Sequence, residues 1–120
     1  MRSEVGGLEL RTKQFALRVI ELFATLPGSA AAQILGRQML RSGTSVGAQY
    51  REAVRAKSRA DFVSKIEGSL QELEETRYWF DLLTESRIVA DDRVQSLTQE
   101  AEELTRMLVA SARTAKRNKS

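Results

Sequence analysis

Four arginines in the second quarter of the chain have the spacing of one face of a single helix. At about 100° per residue they fall within an arc of roughly 80°, over about 27 Å of helix axis. They are Arg37, Arg41, Arg51 and Arg55, and we call them the arginine stripe. Thr44 and Ala48 fill the gap between the two pairs, so no carboxylate interrupts the stripe. Because neighbouring like charges repel one another, the stripe predicts an anionic partner, either a phosphate backbone or an acidic protein surface.

Two interpretations of the arginine stripe stay open at this point. In the first, the guanidinium groups pair with an acidic strip on the third helix, within one subunit or across an interface. In the second, they contact nucleic-acid phosphates, and each neutralised phosphate releases a counterion. Arg59 and the basic C-terminal tail extend the same region. A continuous stripe requires the helix to run straight through Gly43 and Gly47, which helix propensity alone does not guarantee.

Enzyme chemistry has few candidate residues in this sequence. The chain contains no His and no Cys, which removes an imidazole base, a thiolate nucleophile and the usual zinc ligands. The Glu-x-x-His pairs of di-iron bundles are absent too. Glu67, Glu74 and Asp81 line up seven residues apart, and we interpret them as a solvated or partner-facing acidic strip. We therefore predict a protein that is not an enzyme and has neither a metal nor a cofactor.

The glycine-containing segments offer no phosphate-binding loop. Gly6-Gly7 and residues 43–47 lack the lysine and the preceding strand that such a loop needs. Nucleotide-dependent catalysis is not indicated.

The elements that position these residues are four amphipathic helices. The apolar spacing predicts helices over residues 8–26 and 29–56, a third from Ser58 to about residue 86, and a fourth from Asp91 or Asp92. Ser29 and Ser58 are the expected N-caps, and a kink or break within the second helix, if there is one, is expected at Gly43. We predict an all-α, up-and-down four-helix bundle over residues 1–115, followed by a basic, disordered tail over residues 116–120.

Charge and hydropathy indicate how charge is distributed along the chain and where the protein is located. The formal net charge is only +3, but the second helix is basic and the third is acidic. No apolar run approaches the roughly 20 residues that cross a bilayer, and no hydrophobic signal segment opens the sequence. We expect a soluble, cytoplasmic protein.

The aromatic residues can be interpreted as base-stacking platforms or as core and interface residues. The helical spacing favours core or oligomer interface for the set Tyr50, Tyr78, Trp79 and Phe80. The apolar faces of the first and third helices are also wider than a bundle of this size can bury, which predicts a homo-oligomer. The surplus residues are Leu10, Leu17, Ile20, Val63, Leu70, Tyr78, Trp79 and Leu82.

Three segments carry a family resemblance. They are RSGTSVGAQYREA at 41–53, KSRADFVSK at 57–65 and ELEETRYWFDLL at 72–83. Together they resemble the bacterial four-helix-bundle family often labelled the 23S rRNA intervening-sequence proteins, which includes accessory proteins of diversity-generating retroelements. The likeness covers residues 8–110. By position, Arg41, Arg51 and Arg55 match the family's basic stretch, and Ser45 and Glu52 match its polar positions.

The resemblance implies an up-and-down bundle whose protomers form a ring-like homopentamer. For the retroelement branch it also implies a basic surface for nucleic acid and a reverse transcriptase partner. Many members have Ile-Pro where this chain has Val46-Gly47, so a proline kink is absent and the second helix should be straighter. We predict binding of RNA or DNA through the arginine stripe and Arg59. The alternative is a protein-interaction scaffold with no direct nucleic-acid role.

Overall fold

Four helices make up the part of the chain that the structure describes. The computed structural model describes residues 2–118, with side chains from Gly7 onward, and contains no strand in that range. The helices are α1 (Arg2–Ala24), α2 (Ala30–Val54), α3 (Arg59–Glu85) and α4 (Asp91–Arg117). Each helix packs on the next, and α4 returns to α1, so α1 is diagonal to α3 and α2 is diagonal to α4. The antiparallel bundle measures 53 × 21 × 19 Å. The predicted all-α class with four helices is confirmed.

Helix α2 runs without interruption through both glycines, so no break occurs at Gly43 and the continuity that the arginine stripe requires is present. Both glycines are buried against α1, where the absence of a side chain lets the two helices approach closely. A Cβ at Gly43 would lie 2.9 Å from Val19 Cγ1, and one at Gly47 would lie 3.0 Å from Thr12 Oγ1. Tertiary packing therefore outweighs the low helix propensity of glycine here.

The contact between α2 and α3 combines apolar packing with satisfied polar groups. The Thr76 hydroxyl donates to Ser42 Oγ at 2.8 Å, and the Ser69 hydroxyl donates to the Val46 carbonyl at 2.8 Å. All these groups lie in the bundle interior, where an unpaired hydroxyl would be costly. These bonds fix the antiparallel register that brings α3 alongside the arginine stripe.

The bundle core contains two of the four aromatic residues that the sequence assigned to a core or an interface. Tyr50 and Phe80 are buried, and the Phe80 ring meets Phe15 edge-on with centroids 6.3 Å apart. Both rings therefore lie in the core of the single protomer. Trp79 is half-buried and Tyr78 is exposed.

The helix ends differ from the expected ones at both termini. Helix α1 begins at Arg2 rather than near residue 8, and α4 continues through Arg117. Helix α4 therefore includes Lys116 and Arg117 of the predicted tail, and residues 119–120 lie outside the described part of the chain, so the disordered tail stays a prediction. Lys116 Nζ contacts Glu67 at 3.0 Å, and cations in the last turn interact favourably with the helix dipole. No described helix is both long enough and apolar enough to span a bilayer.

The edge between α1 and α4 is joined by long polar side chains. Arg11 donates to both carboxylate oxygens of Glu100, at 3.0 and 2.8 Å, and this bonding raises the pKa of Arg11. Towards the other end of the bundle, Arg93 Nη2 donates to Thr25 Oγ1 at 2.6 Å. The guanidinium groups of these two arginines therefore donate hydrogen bonds across the gap between the first and last helices.

A left-handed backbone conformation ends α3. Arg87 has φ 65°, in the region that glycine occupies most easily. The Ile88 N–H bonds to the Leu83 carbonyl and the Arg87 N–H bonds to the Thr84 carbonyl, each at 3.0 Å. This pair of bonds is the Schellman motif, whose left-handed residue is usually glycine.

Substituting glycine at this position should stabilise the protein. We expect Arg87→Gly to raise the free energy of unfolding by about 1 kcal/mol, because a Cβ is disfavoured in the left-handed conformation. Urea unfolding followed by circular dichroism measures the change. Arg87→Ala keeps the Cβ and should show no such gain. Equal stabilisation by both substitutions would contradict the explanation.

Candidate nucleic-acid interface

The arginine stripe lies on the outer corner of α2. Counted from the buried Val46, Arg37 and Arg55 are nine residues away, about 180° around the helix, and Arg41 and Arg51 are five residues away, about 140°. All four side chains are exposed. Arg55 caps the helix, and its Nη1 donates to the Arg51 carbonyl at 3.2 Å. The structure thus brings the four predicted residues together on one continuous surface that faces away from the bundle axis.

Arg41 is already engaged by carboxylates of α3. Its Nη1 lies 3.4 Å from Glu72 Oε1, and its Nη2 bonds Glu75. Trp79 Nε1 donates to the same Glu75 oxygen at 3.1 Å. The hydrogen bonds from Arg41 and then Trp79 lower the pKa of Glu75. Pairing of the stripe with α3 within the subunit therefore holds at Arg41, through Glu72 and Glu75 and not through the acidic strip that the sequence suggested.

The other three members of the stripe are more available. Arg51 Nε lies 3.5 Å from Glu9 Oε2 of α1, but the Arg51 side chain is 61% exposed. An ion pair exposed to this degree contributes little free energy and exchanges readily. Within residues 7–118, Arg37 and Arg55 make no ion pair with a carboxylate. Arg59, the first residue of α3, is exposed at the same end of the bundle as Arg55.

The acidic strip lies on the outer face of α3. Glu67, Glu74 and Asp81 are exposed, with Glu67 paired to Lys116 and Glu74 lying 3.8 Å from Arg77. In the described part of the chain, no three His, Cys, Asp or Glu side chains are grouped to hold a metal ion. The strip is therefore a charged surface separate from the arginine stripe.

Base stacking on the aromatic residues is not favoured by their positions. Tyr50 and Phe80 are buried, and the Trp79 indole is held by Glu75. Tyr78 is 54% exposed, with its ring 5.1 Å from Trp79, but it lies on α3 next to the acidic strip. Nearby carboxylates repel a polyanion, so the available surface suits phosphates and not bases.

An apolar face borders the arginine stripe on its α1 side. Leu10, Leu17 and Ile20 are 55%, 51% and 44% exposed on the outside of α1. A groove of about 570 Å³ separates this face from α2, with Leu10 on one side, Ala48 and Arg51 on the other. Of the surplus apolar residues expected from the sequence, Val63, Leu70 and Leu82 are half-buried and do not form a comparable face.

The sequence contained a signal for the contacts of Arg41 with Glu72 and Glu75. Considering each helix by itself missed it. In an antiparallel pair joined by a short loop, residues equally far from the loop face one another. Arg41 is the fourteenth residue before the loop and Glu72 is the fourteenth after it, and Glu75 lies about one turn further along α3. Counting outward from the loop at residues 55–58 would have identified the partner.

The fold and the exposed stripe define a small all-α bundle whose most distinctive feature is a charged outer surface. A family model described as 23S rRNA-intervening sequence protein matches residues 10–110. The chain belongs to this family. The match confirms the family resemblance of the three quoted segments.

A solved structure agrees with the family match. It is the 1.70 Å crystal structure of a protein of unknown function from the S23 ribosomal protein family of Bacteroides thetaiotaomicron. It is 32% identical, with a TM-score of 0.86, over 92% of this chain and 98% of that one. None of the curated proteins compared with the chain matches it.

Proposed function

We propose that the chain is a non-enzymatic, homo-oligomeric bundle that binds nucleic acid through the arginine stripe on α2. One observation carries the proposal: four exposed arginines share a face that points away from the core, on a helix that both glycines leave unbroken. Guanidinium groups bond phosphate oxygens in a fork geometry. Contacts to phosphate oxygens give affinity with little sequence preference.

The paired and unpaired arginines have different roles in this mechanism. Arg37 and Arg55 make the first phosphate contacts, because no carboxylate competes for them in the described structure. Arg51 exchanges its exposed pair with Glu9 for a phosphate. Arg41 joins only by leaving Glu75, so Glu75 acts as an internal competitor for the same guanidinium group.

Removing that competitor should strengthen binding. We expect Glu75→Gln to raise the affinity for a duplex by roughly twofold to fivefold, since one carboxylate near the phosphates disappears and Arg41 is released. The glutamine carbonyl can still accept from Trp79, so the local packing is kept. Fluorescence anisotropy with a labelled duplex measures the affinity.

A neighbouring glutamate is the matched control for this substitution. Glu74 is exposed on the outer face of α3 and lies near Arg77, away from the stripe. Glu74→Gln makes the same change in net charge and should leave the affinity nearly unchanged. If both substitutions raise it equally, only net charge matters, and Arg41 has no part in binding.

Self-association is the second element of the proposal, and the exposed aliphatic face of α1 supports it. Leu10, Leu17 and Ile20 lie side by side in water in the single protomer, and burying them in an interface is favourable. The pentameric ring and a reverse transcriptase partner come from the family resemblance, and a cytoplasmic location is part of the same proposal. Sedimentation velocity tests the assembly, and a Leu17→Glu variant should dissociate it.

A protein-interaction scaffold is the second candidate function. It is favoured by the same α1 face and by the carboxylates that hold Arg41. Titration of a labelled duplex at two salt concentrations separates the two candidates. The proposed function requires binding that weakens as salt rises, whereas no binding at either concentration would leave only the scaffold.

A further inference from the structure

A second basic surface lies at the corner of the bundle diagonal to α2. Arg113 and Arg117 are exposed near the end of α4, about 140° and 180° around the helix from the buried Leu108. Residues 104–118 contain four Lys or Arg and no Asp or Glu. The other two cations are occupied, Arg106 by Glu103 at 2.7 Å and Lys116 by Glu67 at 3.0 Å.

Arg113 and Arg117 have free donors for an anion. Among the residues whose side chains are described, neither makes an ion pair. They are one helical turn apart on the outer side of α4, where both can contact one phosphate backbone. Like charges at this spacing repel one another when no anion is bound, as they do in the arginine stripe on α2.

The faces between the two basic surfaces keep them separate. On one side lies α1, with its exposed aliphatic residues, and on the other lies α3, with Glu67, Glu74 and Asp81. A single polyanion that wrapped around the side of the bundle from α2 to α4 would cross either the apolar face or the carboxylates. Both crossings are unfavourable, so the two surfaces favour two separate strands or duplexes.

The bundle is thick enough to carry two polyanions back to back. Its two shorter dimensions are 21 and 19 Å, about twice the Debye length of 8–10 Å at ordinary salt concentrations. Repulsion between segments on opposite corners is therefore largely screened. Because α2 and α4 both end at the same end of the bundle, Arg51 and Arg55 lie at the level of Arg113 and Arg117.

We propose that one protomer holds two nucleic-acid segments at once, one on the arginine stripe and one on the α4 surface of Arg113 and Arg117, and so bridges them. This inference rests on the proposed function, because the stripe must bind the first segment. It adds an activity that one basic surface does not give a single protomer: two separate duplexes are brought within one bundle width of each other.

Energy transfer between two short duplexes, one carrying a donor dye and the other an acceptor, tests the bridging. In the Leu17→Glu background, where the stripes of two subunits cannot hold both duplexes, the protein should produce transfer that rises and then falls at excess protein, when each duplex occupies its own molecule. Arg113→Gln with Arg117→Gln should reduce transfer at least about fivefold and change the anisotropy-measured affinity for one duplex by less than about twofold. Arg106→Gln is the control on the same helix. It should keep both the energy transfer and the affinity for one duplex.

Two results would overturn the inference and leave the proposed function standing. Transfer that persists in the double variant would show that the α4 surface is not the second site. A loss of single-duplex affinity as large as that from changing the stripe would show one continuous surface. By contrast, a wild-type protein that binds no duplex at low salt refutes the proposed function itself. Sedimentation of each variant verifies that assembly is unchanged.

Discussion

Replacing Arg51 and Arg55 together by glutamine is expected to weaken duplex binding by roughly tenfold to a hundredfold at about 0.1 M salt. Each arginine that leaves a phosphate removes one released counterion, so the slope of log affinity against log salt should become shallower by about 1.8 for two contacts. Both side chains are exposed and neither is part of the core, so unfolding should be little affected. Anisotropy titrations at several salt concentrations give both quantities.

A second double variant separates the stripe from net charge. Arg87→Gln with Arg106→Gln also lowers the formal charge from +3 to +1, but both positions lie outside α2 and outside the two proposed surfaces. It should keep at least half of the wild-type affinity. If the Arg51 and Arg55 variant instead falls apart as an oligomer in sedimentation, those arginines are interface residues, and the stripe is not a phosphate surface.

Introducing valine at Gly43 should be the most destabilising single change considered for α2, at about 3 kcal/mol. The first added carbon would lie 2.9 Å from Val19 Cγ1, and the two further methyl groups have no space between α1 and α2. The helices must separate, so the apolar contacts of Val19 are lost as well. Thermal unfolding should show a lower midpoint, by roughly 10 °C or more.

Two further variants distinguish overpacking from a general effect on helix formation. Gly7 is also helical but has nothing within 4 Å of the place where a Cβ would be, so Gly7→Val should be neutral or slightly stabilising. Val19→Ala makes space opposite Gly43. Combined with Gly43→Val, it should cost less than the two single changes added together. Additive losses would contradict direct contact between the two side chains.

The architecture was predictable because helical spacing is a strong local signal. Ser58 caps α3 by accepting from the Asp61 N–H at 3.0 Å, as its sequence context predicts. Gly43 failed as a local signal because its role is tertiary: the same residue that weakens an isolated helix allows a close approach to Val19. Helix propensity is a property of a single helix, whereas the contact between Gly43 and Val19 depends on two helices.

The position of the arginine stripe was predictable from the sequence, but its ion pairs were not. Helical angles alone place the four arginines on one face, as observed. They do not show that Glu75 holds Arg41, because that contact depends on the register between α2 and α3. The α4 surface was hidden for a related reason: Arg113 and Arg117 were assigned to or near a disordered tail, and only a helix continued to Arg117 gives them a common face.

The arginine-mediated edge between α1 and α4 has a consequence for the order of folding. Arg11 and Glu100 are separated by 89 residues, the kind of distant pairing whose loop-closure entropy is greatest in this fold. We expect the hairpin of α2 and α3, which closes a four-residue loop, to form first and to bury the hydrogen-bonded hydroxyls of Ser69 and Thr76. Closure of α1 on α4 should then be the final step, which follows once the hairpin offers its apolar surface to both helices.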